Sequence, residues 1–232
     1  EQARIVAEAR AAGTGKFELL RIETGFGLTC LPEPSEGDVF LDLEGDPFVG
    51  EHGLEYLFGY LVGGADGTVL YEGDWALTRA DEKRAFERFV DFVMARWAQF
   101  PSLHIYHYAP YEPAALKRLM GRYATREEEI DRMLRARLFV DLYQIVRHGV
   151  RASVESYSIK RLEPFYGFDR ATPAFFIWEG VTVYLGVDAI AETVAALGLL
   201  AAPRSRVAVT YVPKDGAHPA WLMLLLGALG RA

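Results

Sequence analysis

Hydrophobic positions along the chain change period several times, and each change marks an element. Residues 39–44 (VFLDLE) alternate: Val39, Leu41 and Leu43 point one way, and Phe40, Asp42 and Glu44 point the other. Residues 54–62 (LEYLFGYLV) form an aromatic-rich second strand, and after glycines and Asp66 a third covers 68–72 (TVLYE). The three read as an antiparallel meander. A helix is predicted over 79–97, where Phe86, Phe89, Val90, Val93 and Trp97 recur at helical spacing, and Thr78 with Asp81 makes a capping box at its start. A strand follows at 103–108 (LHIYHY), then a helix through about residue 122 with Pro113 in its first turn. Thr125 and Glu128 open another helix by the same box. LFVD at 138–141 is a fifth short strand, followed by helix LYQIVRHG and a short helix over SIKRLEPF.

Upstream, residues 1–12 read as a helix and 17–22 as a strand, and LPEPSEGD at 31–38 reads as a linker. Three strands, a helix, a strand, helices and another strand describe an α/β domain with a mixed sheet. Near residue 171 the composition changes. Residues 171–232 carry 8 charged residues, and the first 170 carry the other 49. The division expected is therefore 1–36 as an N-terminal helix and linker from an upstream module, 37–170 as the main domain, and 171–232 as an apolar tail. That tail either completes the domain or follows a shift of reading frame after about Arg170.

Composition narrows the class. The chain is 51% hydrophobic and 25% charged, ordinary for a globular protein. Its net charge of −7 excludes a generally basic nucleic-acid clamp, so any phosphate contact must be local. One cysteine, Cys30, rules out a disulfide framework and a four-cysteine metal site, and a cytoplasmic setting is the simplest expectation. The longest apolar run, WLMLLLGAL at 221–229, is too short for a bilayer. The first residue is Glu1 rather than methionine, and a fragment of a longer polypeptide is expected.

The chemistry-bearing positions are carboxylates. Asp42 and Glu44 share one face of a hydrophobic strand just before Gly45–Asp46–Pro47 ends it. Two acids so placed suit a divalent cation, although a solvated strand face shows the same pattern. Glu112 stands at a helix start, where the helix dipole alone would justify an acid. Asp141 stands at a strand-to-helix junction and suits an N-cap. Tyr184 and Asp188 lie four apart, on one face if that segment is helical. The GTGK at 13–16 follows a helix and lacks the full phosphate-loop spacing. His104 and His107 fall on opposite faces of their strand, which disfavours a shared zinc.

Taken in order, VFLDLEGDPF, GLEYLFGYLV, HIYHYAPYEPAALKRLM, FVDLYQIVR and SYSIKRLEPFYGF resemble the YprB-type ribonuclease-H-like domain of predicted bacterial RecB-family nucleases, within the wider DEDD group of 3′–5′ exonucleases. The resemblance covers roughly residues 30–168. It implies a ribonuclease-H-like mixed sheet flanked by helices, and two-metal hydrolysis of phosphodiesters with Mg²⁺ or Mn²⁺. It implies Asp42, Glu44, Glu112 and Asp188 as metal ligands and Tyr184 as the group orienting the attacking water. Lys160, Arg161 and His107 would meet substrate phosphates. It also implies single-stranded DNA 3′ ends as substrate and RecB-like nuclease or helicase modules as companions. A ribonuclease-H-like module that binds nucleic acid or a partner without cutting is the alternative.

Overall fold

The structure is a computed structural model, and it describes residues 1–63, 68–166, 175–178 and 206–209. Helix α1 (Gln2–Ala12) stops at Gly13, whose φ of 66° only a residue without Cβ adopts easily. The Gly13 N–H returns to the carbonyls of Ala9 and Arg10, so the glycine of GTGK terminates a helix. Strand β1 (Phe17–Leu19) and a 3₁₀ turn at Gly27–Cys30 lead to the central strands β2 (Val39–Asp46), β3 (Leu54–Gly63) and β4 (Val69–Trp75). Helix α2 (Arg79–Gln99) follows, then β5 (Ile105–His107), α3 (Tyr111–Tyr123), α4 (Glu127–Arg135) and β6 (Phe139–Asp141). The chain continues through α5 (Leu142–Gly149), β7 (Val150–Ala152) and α6 (Ile159–Leu162). Strands β8 (Phe175–Trp178) and β9 (Arg206–Val209) pair in parallel.

Two compact units divide the chain, residues 1–166 and 167–232. In the first, a five-stranded sheet runs in the order β4-β3-β2-β5-β6. The meander β2-β3-β4 is antiparallel, and β2, β5 and β6 are parallel. This is the mixed α/β sheet expected from the sequence.

The alternation in β2 decides what lies inside. Val39, Leu41 and Leu43 are buried with Phe86, Phe89 and Leu116, side chains of α2 and α3. Burying each such side chain contributes roughly 1.5–3 kcal/mol, which fixes the register, since a one-residue slip would expel all three β2 residues. Phe40, Asp42 and Glu44 keep solvent access on the opposite face.

Thr78 caps α2 as expected, with the reciprocal Asp81 bond. The box expected at α4 does not form. Arg126 occupies the N-cap with a left-handed φ of 57°, and the Thr125 hydroxyl donates instead to Glu87 on α2 at 2.9 Å. A tertiary partner outcompeted the local cap. Strand β7 escaped notice because three residues are too few to show a period. It pairs with β1, joining Phe17–Leu19 to Val150–Ala152. Among the described residues no helix is long and apolar enough to cross a membrane.

Candidate active site

Strand β2 outruns its parallel neighbour. Its pairing with β5 covers only Val39↔Ile105 and Phe40↔Tyr106, whereas its pairing with β3 continues to Asp46. Beyond Phe40 the β5 side of the strand is open, and a crevice forms at the carboxyl ends of the parallel strands. Asp42 and Glu44 lie along this stretch, and a register shift between Glu44 and Gly45 bends the strand just after them.

The turn from β5 into α3 brings the third acid. Ala109 takes a left-handed φ of 70°, a costly conformation for a residue with a Cβ. Two side chains pin it. Its N–H donates to Asp141 Oδ1 at 3.0 Å, and its carbonyl accepts from His107 Nδ1 at 2.6 Å. A carbonyl can only accept, so His107 Nδ1 carries the proton. Burial lowers the His107 pKa and keeps the ring neutral. Helix α3 then starts with Glu112 in its first turn.

Glu112 is only 4% exposed. The backbone N–H groups of Leu43 and of Glu112 itself face its carboxylate and favour its charge, yet Oε2 is buried without a hydrogen-bond partner. His107 Nδ1 lies 3.6 Å from that oxygen, but its proton is already committed to Ala109. Burial, with Asp42 adding, pushes the Glu112 carboxyl up to about 7. Burial also raises Asp42, although its side chain still reaches solvent. Both acids are held in surroundings that disfavour their charge, a situation a nearby cation reverses.

A cleft of about 660 Å³ opens beside Glu112, and Asp42 is not among the residues that line it. Glu44, Asp46, Glu55 and Glu112 line it, against one arginine, Arg118. The Tyr111 hydroxyl donates to Glu55 Oε2 at 2.7 Å, and Arg118 pairs with Glu55 Oε1. Gly45 makes room for this cluster, because a Cβ there would collide with the Glu55 carboxylate and the Tyr111 hydroxyl. Sequence reasoning overlooked Glu55, Tyr111 and Arg118. The signals existed: Glu55 is the one charge in LEYLFGYLV, and Tyr111 and Arg118 are seven apart, two turns along one helix face.

The other predicted site residues are dispersed. Asp141 caps α5, accepting from Tyr143 N–H at 2.9 Å and Gln144 N–H at 3.4 Å. His107, 5% exposed, stands behind Glu112 and away from open solvent. Lys160 and Arg161 lie on exposed α6 and do not line the cleft; Arg161 is 3.7 Å from Glu155. Tyr184 and Asp188 fall outside the described residues. Among the described residues no three His, Cys, Asp or Glu side chains converge on one metal position. The residues that do gather fit a hard divalent cation nonetheless. Their donors are all carboxylate oxygens, one of them buried and unsatisfied, and the cleft holds more acids than cations.

The model of the ribonuclease H superfamily matches residues 39–180, from the start of β2 onward. No curated protein and no solved structure matches the chain.

Proposed function

Since the chain belongs to the ribonuclease H superfamily, whose members are generally nucleases that use divalent metals, we propose that it is a metal-dependent 3′–5′ exonuclease acting on single-stranded DNA. The observation that carries this reading is Glu112: a buried carboxylate with a partnerless oxygen, facing the backbone N–H of Leu43 between Asp42 and Glu44. Burying such a group costs a few kcal/mol unless something compensates, and a divalent cation is the compensation the neighbouring acids favour.

Asp42, Glu44 and Glu112 would hold Mg²⁺ or Mn²⁺, with Asp188 completing the set from beyond the described residues. When bound, two such ions supply a hydroxide-like nucleophile and stabilise charge on the leaving oxygen. The residues of the chain do the rest. Ala109, fixed by Asp141 and His107, sets the start of α3 and so the position of Glu112. The neutral His107 keeps water from the inner side of that carboxylate. Tyr184 would orient the attacking water, and Lys160 and Arg161 would meet phosphates farther along the strand. We assign the chain to the YprB-type branch, in the cytoplasm and alongside RecB-like nuclease or helicase modules, on the ordered motifs from VFLDLEGDPF to SYSIKRLEPFYGF.

A second reading is a module that binds nucleic acid without cutting it. The lack, among the described residues, of three converging metal-ligating side chains favours it. One assay separates the two. Single-stranded DNA labelled at its 5′ end should give a ladder of shortened products in Mn²⁺, and Asp42→Ala should abolish the ladder. Intact substrate with the wild-type chain would overturn the exonuclease.

A further inference from the structure

We propose that Arg118 is the phosphate-binding residue of the cleft, taking one backbone phosphate of a single-stranded nucleic acid, with Glu55 and Tyr111 as the residues that position it. The choice of ligand rests on the nuclease reading above. The placement of Arg118 does not.

Among the described residues that line the cleft, Arg118 is the one lysine or arginine. Other arginines nearby are already engaged. Arg122 is spent on Glu82 and the His52 carbonyl, and Arg79 on Glu82 and the Val49 carbonyl. Arg118 uses a single nitrogen, Nη2, on Glu55, and its side chain remains 43% exposed. A guanidinium carries five N–H donors in a planar fork, so most of the fork is left for another acceptor. Phosphate oxygens match that geometry.

The support behind the arginine is specific. Glu55 is 5% exposed and has one oxygen on Arg118 and the other on the Tyr111 hydroxyl. Burial, with Glu55 adding, pushes the Tyr111 phenol up, so it stays a neutral donor. Tyr111 and Arg118 sit two turns apart on the same face of α3, which fixes the spacing of the clamp. That face also carries the clamp along the helix that holds Glu112, so a phosphate on Arg118 stands on the same cleft wall as the acids. A long solvated side chain loses much conformational entropy on binding; one held from behind has already lost it. In a chain of net charge −7, one oriented cation amid carboxylates gives a local phosphate contact where general attraction is lacking.

The test measures binding, apart from cleavage. A fluorescein-labelled oligodeoxythymidine is titrated with the full chain in Ca²⁺ over a range of salt. Arg118→Gln should weaken binding and lower the slope of log K against log salt by about 0.7, the share of one phosphate contact on a single strand. Arg118→Lys should keep the slope, because it keeps the charge, but bind several-fold more weakly because the fork is gone. Mn²⁺ affinity should stay at the wild-type value in both. If Arg118→Gln does not fold, the lysine variant decides: affinity equal to wild type overturns the assignment. An unchanged slope in folded Arg118→Gln also overturns it, as does a wild-type chain that does not bind the oligonucleotide. Wild-type binding without cleavage in Mn²⁺ would refute the exonuclease alone, and the salt slope would still decide Arg118.

Discussion

The backbone N–H of Leu43 faces the carboxylate of Glu112 and favours its charge, linking the middle of strand β2 to the first turn of helix α3. Leu43 lies between Asp42 and Glu44, with its own side chain in the core. That approach sets the helix acid against the strand acids. Glu112 can come this near because β5 pairs with β2 only as far as Phe40, leaving the next stretch of that edge open. Carboxylates seventy residues apart in sequence meet where the sheet splits.

Glu112 should make the metal-free protein more stable in mild acid. Its folded pKa of about 7 exceeds the ordinary 4.5, so the native state binds the proton more tightly than the unfolded chain. Stability contributed by this group then falls as pH rises from 4.5 to about 7, and it returns on acidification. Glu112→Gln should remove that slope and stabilise the metal-free chain above pH 7 by up to about 3 kcal/mol, from a shift of two to three pKa units. Urea unfolding in a chelator across this pH range measures it. A variant no more stable than wild type at pH 8 would show that the buried carboxylate carries no strain.

Metal affinity should move in the opposite sense. A carboxylate must lose its proton to ligate, so Mn²⁺ should bind more tightly as pH rises through about 7, releasing a proton from Glu112. Calorimetry in two buffers of different ionisation enthalpy reads that release directly. Asp42→Ala should cost about tenfold or more in Mn²⁺ affinity, in keeping with loss of a direct ligand. An Asp42→Ala chain that binds Mn²⁺ like wild type would remove this residue from the site.

Much of this was legible in the sequence, and the parts that were not share a cause. Alternation in VFLDLE gave the two faces of β2, and the Thr78–Asp81 box gave the start of α2, because both depend on near neighbours. From the residues alone Glu112 reads as a first-turn acid, and only the family resemblance makes it a ligand, since its burial depends on how far β5 pairs with β2. Glu55 stands out in its strand, and Tyr111 and Arg118 share a helix face, but their meeting does not show in the sequence for a like reason: it joins β3 to α3 across residues that no local period connects. The cap at Thr125 failed as an expectation because Glu87, on another helix, took the hydroxyl.

Glu82 should be a keystone of stability. Its side chain is fully buried, yet it accepts from the Glu55 N–H at 2.5 Å, Arg79 Nη1 at 3.1 Å, Arg122 Nη1 at 2.9 Å and the Tyr123 hydroxyl. The same arginines hold the carbonyls of Val49 and His52, so the β2–β3 loop, α2 and α3 converge on one carboxylate. Glu82→Ala leaves those donors unsatisfied and should cost about 3–5 kcal/mol. The urea midpoint should fall with the slope unchanged. A loss within the range of ordinary surface substitutions would mean that water replaces the carboxylate freely.

Gly45→Ala tests the cleft wall by crowding it. Gly45 lies in β2 with φ outside the left-handed region, so alanine meets no backbone penalty there and would ordinarily be the better strand residue. Any loss must come from what the new methyl touches. That is the Glu55 carboxylate and the Tyr111 hydroxyl, held together and tied to Arg118, so neither can yield alone. The substitution should cost about 1–3 kcal/mol, the usual range for overpacking. It should also turn the Arg118 fork and weaken oligonucleotide binding. Asp42 and Glu112 are not among the nearest atoms such a methyl would meet, so Mn²⁺ affinity should change little. Paired thermal melts and Mn²⁺ titrations distinguish the outcomes. A variant as stable as wild type would show that the cluster yields readily and does not hold Arg118, whereas loss of Mn²⁺ binding would show that the acids and the clamp form one inseparable unit.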